Sequence, residues 1–194
     1  MIPVIFQPEP ADFALKIRQP GNNFIRLCAR PTAKDFKRKP LWKSALADMK
    51  KSYGSICAYT SMYITSDASI DHFLPKSSHP HLAYEWTNYR LAISKINTNK
   101  GDSRDVLDPF TIQPGWFILD IASLHIRPNS LLPSQVSLAI QKTIDILKLN
   151  AEEWVEIRFE ILNHYLNGDI QIGFLEKKYP FIALEVKRQA VNPR

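Results

Sequence analysis

The 194-residue chain is poor in the residues that build covalent or repetitive scaffolds. It has two cysteines, Cys28 and Cys57, too few for a disulfide framework or a four-cysteine zinc site. Six glycines and 14 prolines, without a repeating period, exclude collagen-like and low-complexity classes. No apolar run approaches the roughly 20 residues that span a bilayer. Met1 to Phe6 is apolar but short, without a basic region before it or a small-residue cleavage site after it, so no secretory signal is expected. A cytoplasmic protein without membrane attachment is the default expectation. What is present is 45% hydrophobic residues, enough for a core of ordinary domain size.

The net charge of +6 is unevenly placed. Residues 1–56 carry 11 Lys/Arg against 4 Asp/Glu, residues 57–110 carry 5 against 6, and residues 111–194 carry 9 against 9. The excess is densest at Lys34-Asp35-Phe36-Lys37-Arg38-Lys39, close to Trp42. Basic residues interleaved with aromatics attract polyphosphate chains; a solvated helix face is the plainer reading.

Alternation at Phe13, Leu15 and Ile17 suggests a short strand, although the segment also tolerates helix, and Gln19-Pro20-Gly21-Asn22-Asn23 reads as a turn. Trp42, Leu46, Met49 and Tyr53 fall on one helical face. Residues 56–59, 62–64 and 69–73 are β-like, and 94–100 reads as a two-turn helix stopped near Gly101. Strands are expected at 116–121 and 123–126. Helices follow, one carrying Val136, Ala139, Ile140, Ile144 and Leu147 and the next Trp154, Ile157, Ile161 and Tyr165, with Asn150 as stop and cap. The tail, 170–190, predicts one more helix interrupted at Pro180. The division expected is a basic segment (1–55), a compact module (56–110) and a mainly helical C-terminal part (111–194).

Chemistry concentrates between residues 69 and 102. Asp71 is a hard oxygen donor suited to a divalent ion. His72, with an ordinary pKa near 6.5, can deprotonate water at neutral pH. A nearby Asn carboxamide can accept from the imidazole N–H and fix the tautomer, and a second Asn oxygen can complete a metal's protein ligands, leaving positions open for phosphate. Lys76, Lys95, Lys100 and Arg104 are plausible phosphate contacts; each alone is more often a solvated surface charge. His79 and His81 flank Pro80 and suit a surface loop.

Asp71-His72, Asn88, and Asn97 followed by Lys100-Gly101 resemble the HNH (ββα-metal) nuclease module, a β-hairpin and helix gripping one divalent metal. The resemblance implies an α+β fold with this module embedded in a mainly helical domain. It implies His72 as general base oriented by Asn88, and Asp71 and Asn97 as ligands of Mg²⁺ or Mn²⁺. Asn97 stands where many relatives have His. The stretches 56–59, 70–77, 82–86 and 97–102, with 143–150 downstream, look like the HNH nucleases found with AAA/ABC-type ATPases in bacterial anti-phage systems, the Septu and retron-linked kind. That likeness implies a hydrolase acting on nucleic acid, DNA by default and RNA as the other possibility, with an ATPase partner. Many such modules carry two Cys-x-x-Cys pairs; here those positions read Cys57-Ala-Tyr-Thr60 and Ile93-Ser-Lys-Ile96, so no structural zinc is expected. Tyr59, Tyr63, Tyr84 and Trp86 are the expected packing replacements. The alternative function is a non-catalytic nucleic-acid-binding or adaptor protein that retains the scaffold.

Overall fold

The computed structural model describes residues 1–28 and 30–193. The fold is α+β: α-helices with two small two-stranded antiparallel sheets. The chain divides into two compact units, each made of separate stretches. One comprises residues 6–57 and 64–104; the other comprises 1–5, 58–63 and 105–194. The basic N-terminal stretch is therefore part of the same unit as the hairpin, rather than a segment apart from it. Among the described residues no helix is long and apolar enough to cross a membrane.

In the first unit a π-helical turn, Ala14–Arg18, runs directly into α1 (Gln19–Leu27). This corrects the strand expected at 13–17 and the turn expected at 19–23. Phe13 and Ile17, four apart, are buried, while Leu15 between them is 71% exposed, which is a helical pattern. Gly21 lies inside α1 against the Tyr84 side chain, where a Cβ would overlap the ring. It permits close packing rather than a turn.

Helix α2 (Ala33–Arg38) opens on a capping box between Thr32 and Asp35. A 3₁₀ turn, Leu41–Ala45, leads into α3 (Leu46–Ser52), the helix expected from the Trp42–Tyr53 periodicity. Residues 56–59 and 62–64 form no strand. β1 (Ala68–His72) pairs with β2 (Tyr89–Ile93), with Ser69 opposite Ala92, Asp71 opposite Arg90 and His72 opposite Tyr89. α4 (Ser94–Lys100) follows β2 at once and ends at Gly101, whose φ of +51° favours glycine.

The core of this unit is aromatic. Phe13 meets Trp86 and Tyr89 edge-on at centroid distances of 5.4 and 5.9 Å, and the Trp86 indole N–H donates to the Gln7 carbonyl at 2.8 Å. Tyr84 and Trp86 are fully buried in it. Tyr59 and Tyr63 fall in the other unit.

In that other unit β3 (Phe117–Leu119) pairs with β4 (Ile126–Pro128), shorter than the strand expected at 116–121 and displaced from that expected at 123–126. α5 (Ser134–Leu147) and α6 (Glu152–Leu166) match the apolar periodicity. Asn150 does not cap α6. Its carboxamide pairs with both backbone groups of Ile126, tying the inter-helix turn to β4. α7 (Ile172–Lys178) and α8 (Pro180–Arg188) break at Pro180, which starts the second helix. Buried Glu185 of α8 accepts from the Leu119 N–H, and buried Arg158 of α6 donates to the carbonyls of Leu124 and Leu149.

Candidate functional site

Alternation along β1 sends Ser69 and Asp71 to one face of the hairpin and Ile70 and His72 to the other. α4 covers the Asp71 face. Asn97 donates from its amide nitrogen to Ser69 Oγ at 3.1 Å and to the Ile70 carbonyl at 3.3 Å. With both amide hydrogens engaged, Oδ1 is the Asn97 atom left for a cation. One turn on, Lys100 Nζ donates to Asp71 Oδ1 and to the His72 carbonyl, each at 3.0 Å. Both charged side chains are at most 2% exposed, so this is a buried pair that pins the end of β1 to α4. Lys100 is therefore a structural cation, not a surface contact for phosphate.

His72, at the end of the strand, is nearly fully buried, edge-on to Trp42 at 5.1 Å and to Tyr89 at 5.2 Å. Its Nε2 lies 2.8 Å from the Ala83 carbonyl. A carbonyl only accepts, so Nε2 carries the proton and Nδ1 carries the lone pair. Burial pushes the His72 pKa down to about 3, assisted by the nearby Lys76 ammonium. The imidazole is neutral at any ordinary pH. Lys76 Nζ stands 3.1 Å from Nδ1 and 4.9 Å from the Trp42 ring centroid, and burial lowers its own pKa.

Asn88 does not touch the imidazole. Its Oδ1 accepts from the Leu74 N–H at 2.8 Å, and its Nδ2 donates to the carbonyls of Leu74 and Leu82 at 3.0 and 3.2 Å. It closes the connection between the strands and so places the adjacent Ala83 carbonyl, which also accepts from the Tyr89 hydroxyl at 3.0 Å. The direct hydrogen bond to His72 expected from sequence is replaced by this indirect one.

A cavity of about 470 Å³ is lined by Trp42, Lys43, Ser69, Ile70, Lys76 and Asn97, among others. Lys95 and Arg104 are exposed and line neither this cavity nor the larger one beside it. His79, half-buried, and His81, exposed, have rings 6.0 Å apart and line neither cavity. The residues that sequence reasoning did not place beside His72 are Trp42, read as a helix-face residue and as an aromatic near the basic cluster, and the Ala83 carbonyl. Nothing local marks either one.

Among the described residues no three of His, Cys, Asp and Glu group as metal ligands. The donors available are the Asp71 carboxylate and the Asn97 carboxamide, both hard oxygens. In donor chemistry they are of the kind Mg²⁺ or Mn²⁺ takes, although Asp71 is buried and lines neither cavity. Lys100 competes for the carboxylate.

No family model matches the chain. A curated protein, the Septu protein PtuB of Bacillus thuringiensis, is 29% identical to it over 115 residues, covering 58% of this chain and 42% of that protein. The chain spans less than half the length of that relative.

Proposed function

We propose that this chain is a metal-dependent endonuclease of the HNH kind, acting in antiviral defence. The observation that carries the activity is His72: a neutral imidazole with its tautomer fixed by the Ala83 carbonyl and its Nδ1 beside the Lys76 ammonium. The likeness to the Septu protein PtuB supports the defence role. The ATPase partner and nucleic-acid substrate rest on the sequence resemblance.

In this reading His72 Nδ1 takes the proton of the water that attacks phosphorus. Lys76 leaves Nδ1 for a non-bridging phosphate oxygen. That exchange removes a cation from beside the imidazole and brings an anion near, so basicity rises as substrate arrives. Asp71 and Asn97 would hold the divalent ion, which would supply charge stabilisation at the phosphate and the leaving 3′ oxygen. Asn88 keeps the Ala83 carbonyl in place, and Trp42 and Tyr89 exclude water from the other edges of the imidazole.

The test is cleavage of supercoiled plasmid and of total tRNA with Mg²⁺, Mn²⁺ or EDTA, alone and with a candidate ATPase partner. Metal-dependent cutting should fall by at least about 100-fold in His72→Ala. Equal cutting by a folded His72→Ala protein would sink the assignment.

One observation favours the non-catalytic alternative: Nδ1 of His72 and Oδ1 of Asp71 each already have an ammonium partner. Nucleic-acid binding that is unchanged in His72→Ala, with no cutting by the wild type under any of these conditions, would select it.

A further inference from the structure

Beside the candidate site, in the same unit, lies a second cavity of about 510 Å³. It shares Trp42, Lys43 and Lys76 with the first, so the two adjoin, and Trp42 and Lys76 also border His72. Its floor is Phe36, buried and edge-on to Trp42 at 6.2 Å. Lys37 and Lys43 stand exposed at its rim. The acid among its lining residues is Asp102, whose carboxylate accepts from Ser77 Oγ at 2.6 Å. Three lysines against one engaged carboxylate make an anion-attracting basin with an aromatic wall.

That combination matches one chemical class. A base inside a duplex has both faces covered by its neighbours, whereas an unpaired base offers its face to aromatic side chains while its phosphates go to lysines. The volume suits a ligand of small-molecule size, which a nucleotide is and a duplex is not. We infer that this cavity seats an unpaired nucleotide next to the scissile phosphate, with its phosphates on Lys37 and Lys43 and its base against the Phe36–Trp42 wall. The preferred substrate is then single-stranded or locally opened nucleic acid. The inference deepens the nuclease reading, resting on it for the placement of nucleic acid in the site.

The experiment is fluorescence anisotropy with the full chain in EDTA, so that no strand is cut. The probes are a 12-nucleotide single-stranded DNA, an RNA of the same sequence, and the matching DNA duplex. Binding of at least one single strand should be 10-fold or more tighter than binding of the duplex. Lys37→Gln/Lys43→Gln should weaken single-strand binding at least threefold and make its log–log salt dependence shallower by about 1.4, two phosphate contacts' worth. Trp42→Ala also removes a wall of His72 and risks misfolding, so the two exposed lysines carry the test, with a thermal melt to show that the double variant is folded. A duplex bound as tightly as either strand, or a folded double variant that loses less than threefold, overturns the inference. Which of the two strands binds tighter names the source, DNA or RNA. Cutting that depends on His72 but not on Lys37 and Lys43 removes the cavity and keeps the nuclease. Selective single-strand binding without cutting removes the nuclease and keeps the cavity.

Discussion

His72 is held neutral by its surroundings, and that has a cost that can be measured. In the unfolded chain its imidazole takes a proton near pH 6.5; in the fold burial delays this to about 3. Below pH 6.5 the unfolded state therefore binds a proton that the native state refuses. Stability from this group is complete above pH 6.5 and is lost as pH falls from 6.5 toward 3, with a slope of at most about 1.4 kcal/mol per unit. Urea midpoints measured at pH 7, 6, 5 and 4 should show His72→Gln losing stability more slowly on acidification than the wild type. Parallel pH curves would contradict the tautomer and burial described above. Lys100 presents the opposite case. Its charge is kept in the interior by Asp71 and by the His72 carbonyl, and replacing Asp71 by a neutral residue would leave the buried ammonium without its carboxylate.

The elements around the site were readable because their signals are local. Asp71 and His72 sit at a strand end, Asn97 and Lys100 lie one turn apart, and Gly101 stops the helix; all of this is written within 31 residues. The misreadings arose where a local pattern had two solutions. Phe13, Leu15 and Ile17 fit a period of two until the burial of Phe13 and Ile17, with Leu15 exposed, selects the helix. Gly21 looked like punctuation, yet its reason is the Tyr84 ring, 63 positions away. Asn150 was expected to serve its own helix and instead serves β4. Trp42 and Ala83 belong to the site only through packing across 30 and 11 residues from His72, which no window of sequence encodes. Gly21→Ala separates the two influences on α1. It raises intrinsic helix propensity by about 1 kcal/mol, but forces a methyl group into Tyr84, a type of overpacking that costs about 1–3 kcal/mol. The expected thermal midpoint is lower than wild type; a higher one would mean that the α1–Tyr84 contact is loose.

At the scale of the whole molecule, charge follows the units more closely than it follows the sequence thirds. The unit that holds the candidate site carries 16 Lys/Arg against 8 Asp/Glu, whereas the other carries 9 against 11. The residues 6–57 that supply most of this positive charge also supply Phe13, Phe36, Met49 and Trp42 to the packing around the hairpin. A fragment of residues 56–110 therefore lacks Phe13, Phe36, Met49 and Trp42. It should give a spectrum without cooperative thermal unfolding, whereas the full chain should melt cooperatively. A cooperative melt of the fragment would show that the hairpin and α4 stand alone.

The Asn88 clamp has a consequence of another kind. Its carboxamide ties Leu74 to Leu82, so the stretch between them hangs from a closed neck, and the imidazole takes its bearing from Ala83, just beyond the neck. The same stretch carries Lys76, whose ammonium stands 3.1 Å from His72 Nδ1, so the neck also sets where that charge sits beside the imidazole.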